Sequence, residues 1–210
     1  MRNKEVLIEL HYLPSLEYFV CLNKSENIIL EINDHYVKQT YRNRCYILTS
    51  NKVAPLIIPV KEGNKKIKFK DIKIDYDQKW LNIHWRAIIS AYGKAPFFEY
   101  FAPYIHQPMF KKFKYLLDLN LQLLSNCLQL LKLEKNLKFT EVYEKEAGNE
   151  IDDLRGQIHP KKNFIFNNFY QIIPYNQIFG KNFVSNISII DLLFCEGGNA
   201  GKILQRSTIS

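Results

Sequence analysis

Glycine and proline are scarce in this chain, eight of each in 210 residues, which excludes collagen-like and Pro/Gly low-complexity architectures. No apolar run approaches the ~18 residues that a membrane-spanning helix needs. The four cysteines, Cys21, Cys45, Cys127 and Cys195, contain no C-x-x-C pair and no metal-finger spacing. They read as free thiols of a reducing compartment. The opening Met1-Arg-Asn-Lys has no apolar run or small-residue cleavage site behind it. The expectation is therefore a cytoplasmic chain without a leader. Several catalytic signatures are missing too. There is no G-x-x-x-x-G-K-[ST] or G-x-G-x-x-G loop for nucleotides and no G-x-S-x-G elbow for a serine nucleophile. The five histidines, His11, His35, His84, His106 and His159, show no H-E-x-x-H or short paired spacing, so a metal site is only weakly supported, no metal ligand is assigned and no cofactor is named.

What is present is ordinary globular material. Hydrophobic residues make up 47% and charged residues 24%, which excludes a disordered chain. The length suits a single domain with one sizeable core. Lysine and arginine (29) outnumber aspartate and glutamate (21), a net charge of +8 that biases the protein toward anionic partners.

The patterning predicts an α/β fold. Val6–Leu10 reads as a buried strand ending at His11, with Pro14 breaking the chain. Residues 16–22 read as a helix, and the β-branched run 27–32 as a second strand. Strand, helix, strand in that order calls for parallel pairing. Residues 44–49 and 55–60 form a hairpin about Ser50-Asn51-Lys52. The expected fold is a mainly parallel sheet with that hairpin, covered by helices at 78–92 and 113–133, in a single domain spanning 1–210. Further elements are expected at 138–143 and 169–173 (strands) and 186–195, a helix with Ser188 and Asp191 at capping-box spacing and Gly197-Gly198 as its stop. Pro103 and Pro108 punctuate the stretch before the long helix, and 144–162 reads as a loop or lid. The lysine-dense run 61–73, interleaved with Ile67, Phe69, Ile72 and Ile74, reads as an edge strand with lysines facing water, or as a polyanion site.

Polar residues in apolar places are the candidates for chemistry. His11 lies at the carboxyl end of the first strand, where open α/β sheets hold ligands, and an imidazole suits a general base. It also suits a loop histidine bonded to backbone. His84 sits on the apolar arc of its helix with Trp80 and Ile88, either as an acid–base group or as a satisfied core residue. Asn120, opposite the polar stripe Asp118, Gln122, Ser125, Gln129 and Lys132, either caps irregular backbone or orients a substrate amide. Asp34 to Arg44 packs charge, amide and aromatic groups between strands. Arg44 forks and the Lys38 point charge suit carboxylate or phosphate.

These segments together resemble the WbqC-like protein family. The resemblance is carried by His11-Tyr-Leu-Pro14-Ser-Leu-Glu-Tyr18-Phe19, Lys38-Gln-Thr-Tyr41-Arg-Asn43-Arg44 and Pro55-Leu-Ile-Ile-Pro59-Val60. Trp80, His84, Arg86, Ala91-Tyr92, Lys94-Ala95-Pro96, Asp118-Leu-Asn120 and Ser188-Ile-Ile-Asp191 extend it. Many members have Gln in place of His11, which marks that position as hydrogen-bonding rather than as an obligatory base. Residues 139–162 look shortened and altered against the family's Gly-rich portion. The resemblance implies a role in surface-polysaccharide (O-antigen type) biosynthesis, with transfer of an acyl or aminoacyl group to a sugar. His84 and His11 would then be the acid–base candidates. Lys38, Tyr41, Asn43, Arg44, Arg86 and Asn120 would bind an anionic small molecule such as a nucleotide-activated sugar or acyl donor. A binding module for an anionic polymer, or an assembly protein of a biosynthetic complex, is the alternative. Nucleic acid is disfavoured, because the aromatics near the lysines alternate as core positions do.

Overall fold

A computed structural model of the chain describes residues 5–162 and 169–209. Met1–Lys4, read above as carrying no leader, lie outside the described residues. No helix among the described residues is long and apolar enough to cross a membrane.

The apolar runs form the expected parallel strands. β1 (Glu5–Glu9) pairs with β2 (Asn27–Glu31), and α1 (Leu16–Asn23) makes the crossover between them. Two later strands complete a four-stranded parallel sheet in the order β5-β2-β1-β6. The numbering follows the chain: β3 (Arg44–Leu48) and β4 (Val53–Ile57) precede β5 (Asn136–Phe139) and β6 (Ile151–Asp153). β3 and β4 form an antiparallel hairpin that is a separate sheet. Strand alternation puts Val6 and Ile8 toward the core. Glu5, Leu7 and Glu9 take the other face, with Ile29 and Glu31 as register partners of Leu7 and Glu9, and Asp153 as a partner of Leu7.

Helices α2 (Trp80–Tyr92), α3 (Phe98–Phe110), α4 (Leu116–Leu131), α5 (Ile189–Glu196) and α6 (Ala200–Arg206) supply the rest of the core. α4 buries Leu116, Leu119, Asn120, Leu123, Leu124, Cys127, Leu128 and Leu131, the 3.6-residue face expected opposite its exposed polar stripe. Gly197 ends α5 as anticipated: its φ is +53°, and a Cβ there would lie 2.4 Å from the Phe97 ring.

Several local expectations need correction. α3 contains both Pro103 and Pro108 within an unbroken helix. Pro108 has no N–H for the Tyr104 carbonyl, and Asn126 Nδ2 on α4 donates to that carbonyl instead (2.6 Å). The lysine-rich run 61–73 is not an edge strand. Glu62 adopts φ +56° and Phe69–Asp71 forms a 3₁₀ turn, so only isolated bridges remain, at Val60–Ile74, His35–Lys68 and Lys73–Tyr115. Its alternating core positions are nonetheless buried at Phe69, Ile72 and Ile74. The strand expected at 138–143 begins and ends earlier, as β5. The loop expected at 144–162 contributes β6. Residues 169–173 make only the Tyr170–Thr208 bridge. Ser188 and Asp191 form no capping box: Ser188 Oγ donates to the Leu13 carbonyl, and Asp191 accepts from Tyr175 and Gln177.

Candidate functional site

The last residue of β1 and the last of β2 are both glutamates, and they are register partners: Glu9 and Glu31. Both are buried. A charged group there must find partners, because an unpaired buried charge costs several kcal/mol. Arg42 and Arg155 provide them. The Arg42 guanidinium bonds Asp34 Oδ2 (2.7 Å) and the His35 carbonyl, and lies 3.6 Å from Glu9 Oε1. Arg155 uses all five of its N–H donors. Nε and Nη2 hold the two oxygens of Asp153 (2.9 and 2.7 Å), Nη1 reaches Glu31 Oε2 (3.1 Å) and the Glu144 carbonyl, and Nη2 also reaches the Lys145 carbonyl. Glu31 Oε1 in turn accepts from the N–H groups of Asn33 and Asp34 and from Thr140 Oγ1.

Glu9 and the two arginines line a cleft of about 350 Å³ at the carboxyl end of the parallel strands, with Glu31 behind Arg155. Its walls include Glu9, Asp34, Arg42, Asp153, Arg155 and His159. This is where open α/β sheets hold ligands. Glu9 Oε1 accepts from the Gly156 N–H (2.7 Å), whereas Glu9 Oε2 is buried with no partner. Burial, partly offset by Arg42, raises the Glu9 carboxyl above the ordinary range. Burial and then the charges of Lys161, Lys162 and Arg44 lower His159.

The segment 34–44 separates this cleft from a second one. Asp34, Val37, Thr40 and Arg42 face the first. Tyr36, Lys38, Gln39, Asn43 and Arg44 line the second, of about 370 Å³, together with Val60, Glu62, Gly63 and Asn64. Gly63 lets the 60–64 turn close on Tyr36: a Cβ would sit 2.9 Å from Val60 Cγ2 and 3.2 Å from the Tyr36 ring. Asn43 Nδ2 donates to the Ile58 carbonyl (2.7 Å), while Asn43 Oδ1 and Arg44 Nε are buried without partners. Neither Arg44 nor Lys38 joins an ion pair among the described residues. Asn120 is wholly buried and its Nδ2 donates to the Arg42 carbonyl (2.8 Å), so it caps the irregular segment that divides the clefts.

The structure thus brings Lys38, Asn43 and Arg44 together and sets Asn120 behind them. The other expected site residues lie elsewhere. His84 is buried between Tyr12 and β4: Tyr12 Oη lies 3.2 Å from Nδ1 and the Ile57 carbonyl 3.1 Å from Nε2. Burial pushes its pKa down to about 4, and it lines neither cleft. His11 packs between Tyr18 (4.7 Å between centroids) and Tyr41 (5.4 Å), with Nδ1 buried and unpartnered. Burial, then the charges of Arg42 and His159, push its pKa down to about 3, so it is neutral at physiological pH. Tyr41 serves as that wall. Arg86 is exposed on α2 and lines neither cleft. No cluster of three or more metal-ligating side chains occurs among the described residues.

The family model of the WbqC-like proteins matches residues 10–159, from the start of the His11 block to His159 in the first cleft. The chain belongs to the WbqC-like protein family. Among curated proteins, uncharacterized protein Rv1507c of Mycobacterium tuberculosis is 28% identical over 103 residues. That alignment covers 49% of this chain and 44% of the relative, so this WbqC-like chain spans less than half the length of the relative it matches. No solved structure matches it significantly. The matched stretch contains every residue named in the two clefts except Glu9.

Proposed function

We propose that this WbqC-like protein is a transferase of surface-polysaccharide biosynthesis that moves an acyl or aminoacyl group from an anionic activated donor onto an amino sugar. The observation that carries this reading is the hydrogen-bonding capacity left over on the two sides of segment 34–44. The second cleft has spare cationic donors, Arg44 Nε and Lys38, which suit a phosphate or carboxylate. In the first cleft Arg155 is saturated and Arg42 is held by Asp34 and His35, so the buried atom left without a partner there is an acceptor, Glu9 Oε2.

A nucleophile with an N–H or O–H to lose fits that atom. The sugar amine attacks the acyl carbon, a C–N bond forms and the bond from that carbon to the donor's leaving group breaks. The amine proton passes to Glu9, and the leaving group keeps its negative charge beside Arg44 and Lys38. The acid–base role expected of His84 moves to Glu9 in this reading, and His84 ties α2 to the hairpin.

The test is a mass-spectrometric transfer assay with amino-sugar nucleotides as acceptors and acyl thioesters or acyl phosphates as donors. Glu9→Gln is expected to lower turnover by ~10²–10⁴. Arg44→Ala is expected to raise the donor KM. Transfer that survives Glu9→Gln at the wild-type rate refutes the Glu9 assignment, and a wild-type chain that transfers nothing favours a non-catalytic binding or assembly role.

A further inference from the structure

Two basic stretches, far apart in the chain, meet beside the second cleft. The 61–73 run is joined to the segment before α4 by the Lys73–Tyr115 bridge and by Ile74 N–H donating to the Lys114 carbonyl (3.1 Å). Lys61 and Lys73 share a hollow with Tyr115 and Glu62, and Glu62 also lines the cleft of Lys38 and Arg44. Among the described residues, Lys61 pairs with Asp77 and Lys65 with Glu62. Lys66, Lys68, Lys70, Lys73, Lys112 and Lys114 form no ion pair with the described residues. All but the half-buried Lys70 are exposed, while Phe69, Ile72 and Ile74 between them are buried. The result is a lysine-rich surface, with Glu62 and Asp71 the carboxylates in its hollow, that runs up to the mouth of the anion-ready cleft.

We infer that this surface docks the protein on an anionic lipid bilayer, presenting the second cleft to the membrane. Its chemistry selects that partner over nucleic acid. Every cation in it is a lysine, a mobile point charge suited to a diffuse field of headgroups, with none of the arginine forks that read bases and phosphates bidentately. Of the nearby aromatics, Phe69 is buried and the half-buried Tyr115 ring carries Lys114 Nζ over it (5.1 Å to the centroid), which leaves little platform for stacked bases. With no spanning helix described, attachment is peripheral and reversible, governed by salt. The inference does not rest on the transfer reading.

The test is co-sedimentation of the full chain with phosphatidylcholine vesicles, with and without about 30% phosphatidylglycerol, across a salt series. Binding is expected only to the anionic vesicles and is expected to weaken steeply with salt. Each lysine near the surface contributes roughly a fivefold factor, so the combined Lys66→Glu, Lys68→Glu, Lys73→Glu, Lys114→Glu variant should lose about 10²-fold or more. The same positions changed to Gln give an intermediate loss and guard against misfolding, which circular dichroism would report. Failure to bind anionic vesicles, or binding unchanged in the Glu variant, overturns the inference. So does a DNA duplex held more tightly than the vesicles at equal salt. Vesicle binding with no transfer activity would refute the catalytic proposal and leave this one standing.

Discussion

Arg155→Met is the most informative single perturbation of the framework behind the first cleft. Arg155 ties three separate pieces together: the end of β2 through Glu31, the end of β6 through Asp153, and the 140–150 connection through the carbonyls of Glu144 and Lys145. Its side chain is 11% exposed and that of Glu31 is 1% exposed, so water can replace little of what is lost. Removing one partner of a buried pair costs ~3–5 kcal/mol, mostly because the other charge is stranded. Glu31 keeps three donors in Asn33, Asp34 and Thr140, which places the expected cost at the lower end, ~3 kcal/mol. With a urea m-value of about 2 kcal/mol/M, the midpoint should fall by ~1.5 M. Arg155→Lys should recover little, because an ammonium cannot reproduce the five-donor fork. A double-mutant cycle with Glu31→Gln should return a coupling of ~1 kcal/mol or more. A midpoint loss under ~0.5 M, or a cycle that closes with no coupling, would refute the view that stranded charge is the source of the cost.

Other consequences are sharper in sign than in size. His84 titrates at about 4 when folded against an ordinary 6.5, so its contribution is present above pH 6.5 and is lost as pH falls toward 4, ~3 kcal/mol in all. Urea midpoints for wild type and His84→Gln between pH 7.5 and 4.5 should therefore diverge, the variant having the flatter profile. Glu9 runs the other way. Its folded pKa is raised, so the stability it contributes below the ordinary carboxylate range is lost as pH rises through the folded value, and Glu9→Gln should be relatively more stable at neutral pH, read by urea denaturation. Asn120→Leu should cost ~1–3 kcal/mol by orphaning the Arg42 carbonyl, read by thermal denaturation. Asn126→Ala should cost ~1 kcal/mol in the native chain and much less with Pro108→Ala, since an amide at 108 can serve the Tyr104 carbonyl itself.

How much of the fold could be read beforehand depended on whether local patterning and tertiary structure agreed. β1, α1, β2 and α4 carry complete hydrophobic signals, and each formed within three residues of its expected ends. α3 was hidden because Pro103 and Pro108 look like breaks. What rescues the helix is a side chain on another element, Asn126, which no local pattern reports. The 61–73 run displayed strand-like alternation, and its inward positions are buried. Yet it meets two different neighbours, His35 and Tyr115, at single bridges while Val60 and Ile74 bridge across its ends, and Glu62 takes the left-handed conformation where a ladder would run on.

The site was half legible for a related reason. Lys38, Asn43 and Arg44 stood out as charge and amide concentrated between strands, and they do share a cleft. Glu9 and Glu31 carried an equally plain signal that composition obscures: Val-Leu-Ile-Glu and Ile-Ile-Leu-Glu end both central strands on a carboxylate, at positions a parallel sheet normally gives to apolar side chains. Two such residues in register require cations, and in a sequence with 29 lysines and arginines the choice of Arg42 and Arg155 is invisible until the chain folds. Histidines attract attention because their ordinary pKa lies near neutrality, but burial removes that advantage from both His11 and His84. The same burial acts in the opposite sense on a carboxylate, carrying Glu9 upward toward the range where a base is useful. Desolvation therefore reverses the ranking that residue type alone suggests: it takes both histidines below the ordinary glutamate value and moves the glutamate above it, so His84 and His11 stay neutral packing groups, one between Tyr12 and β4, the other between Tyr18 and Tyr41.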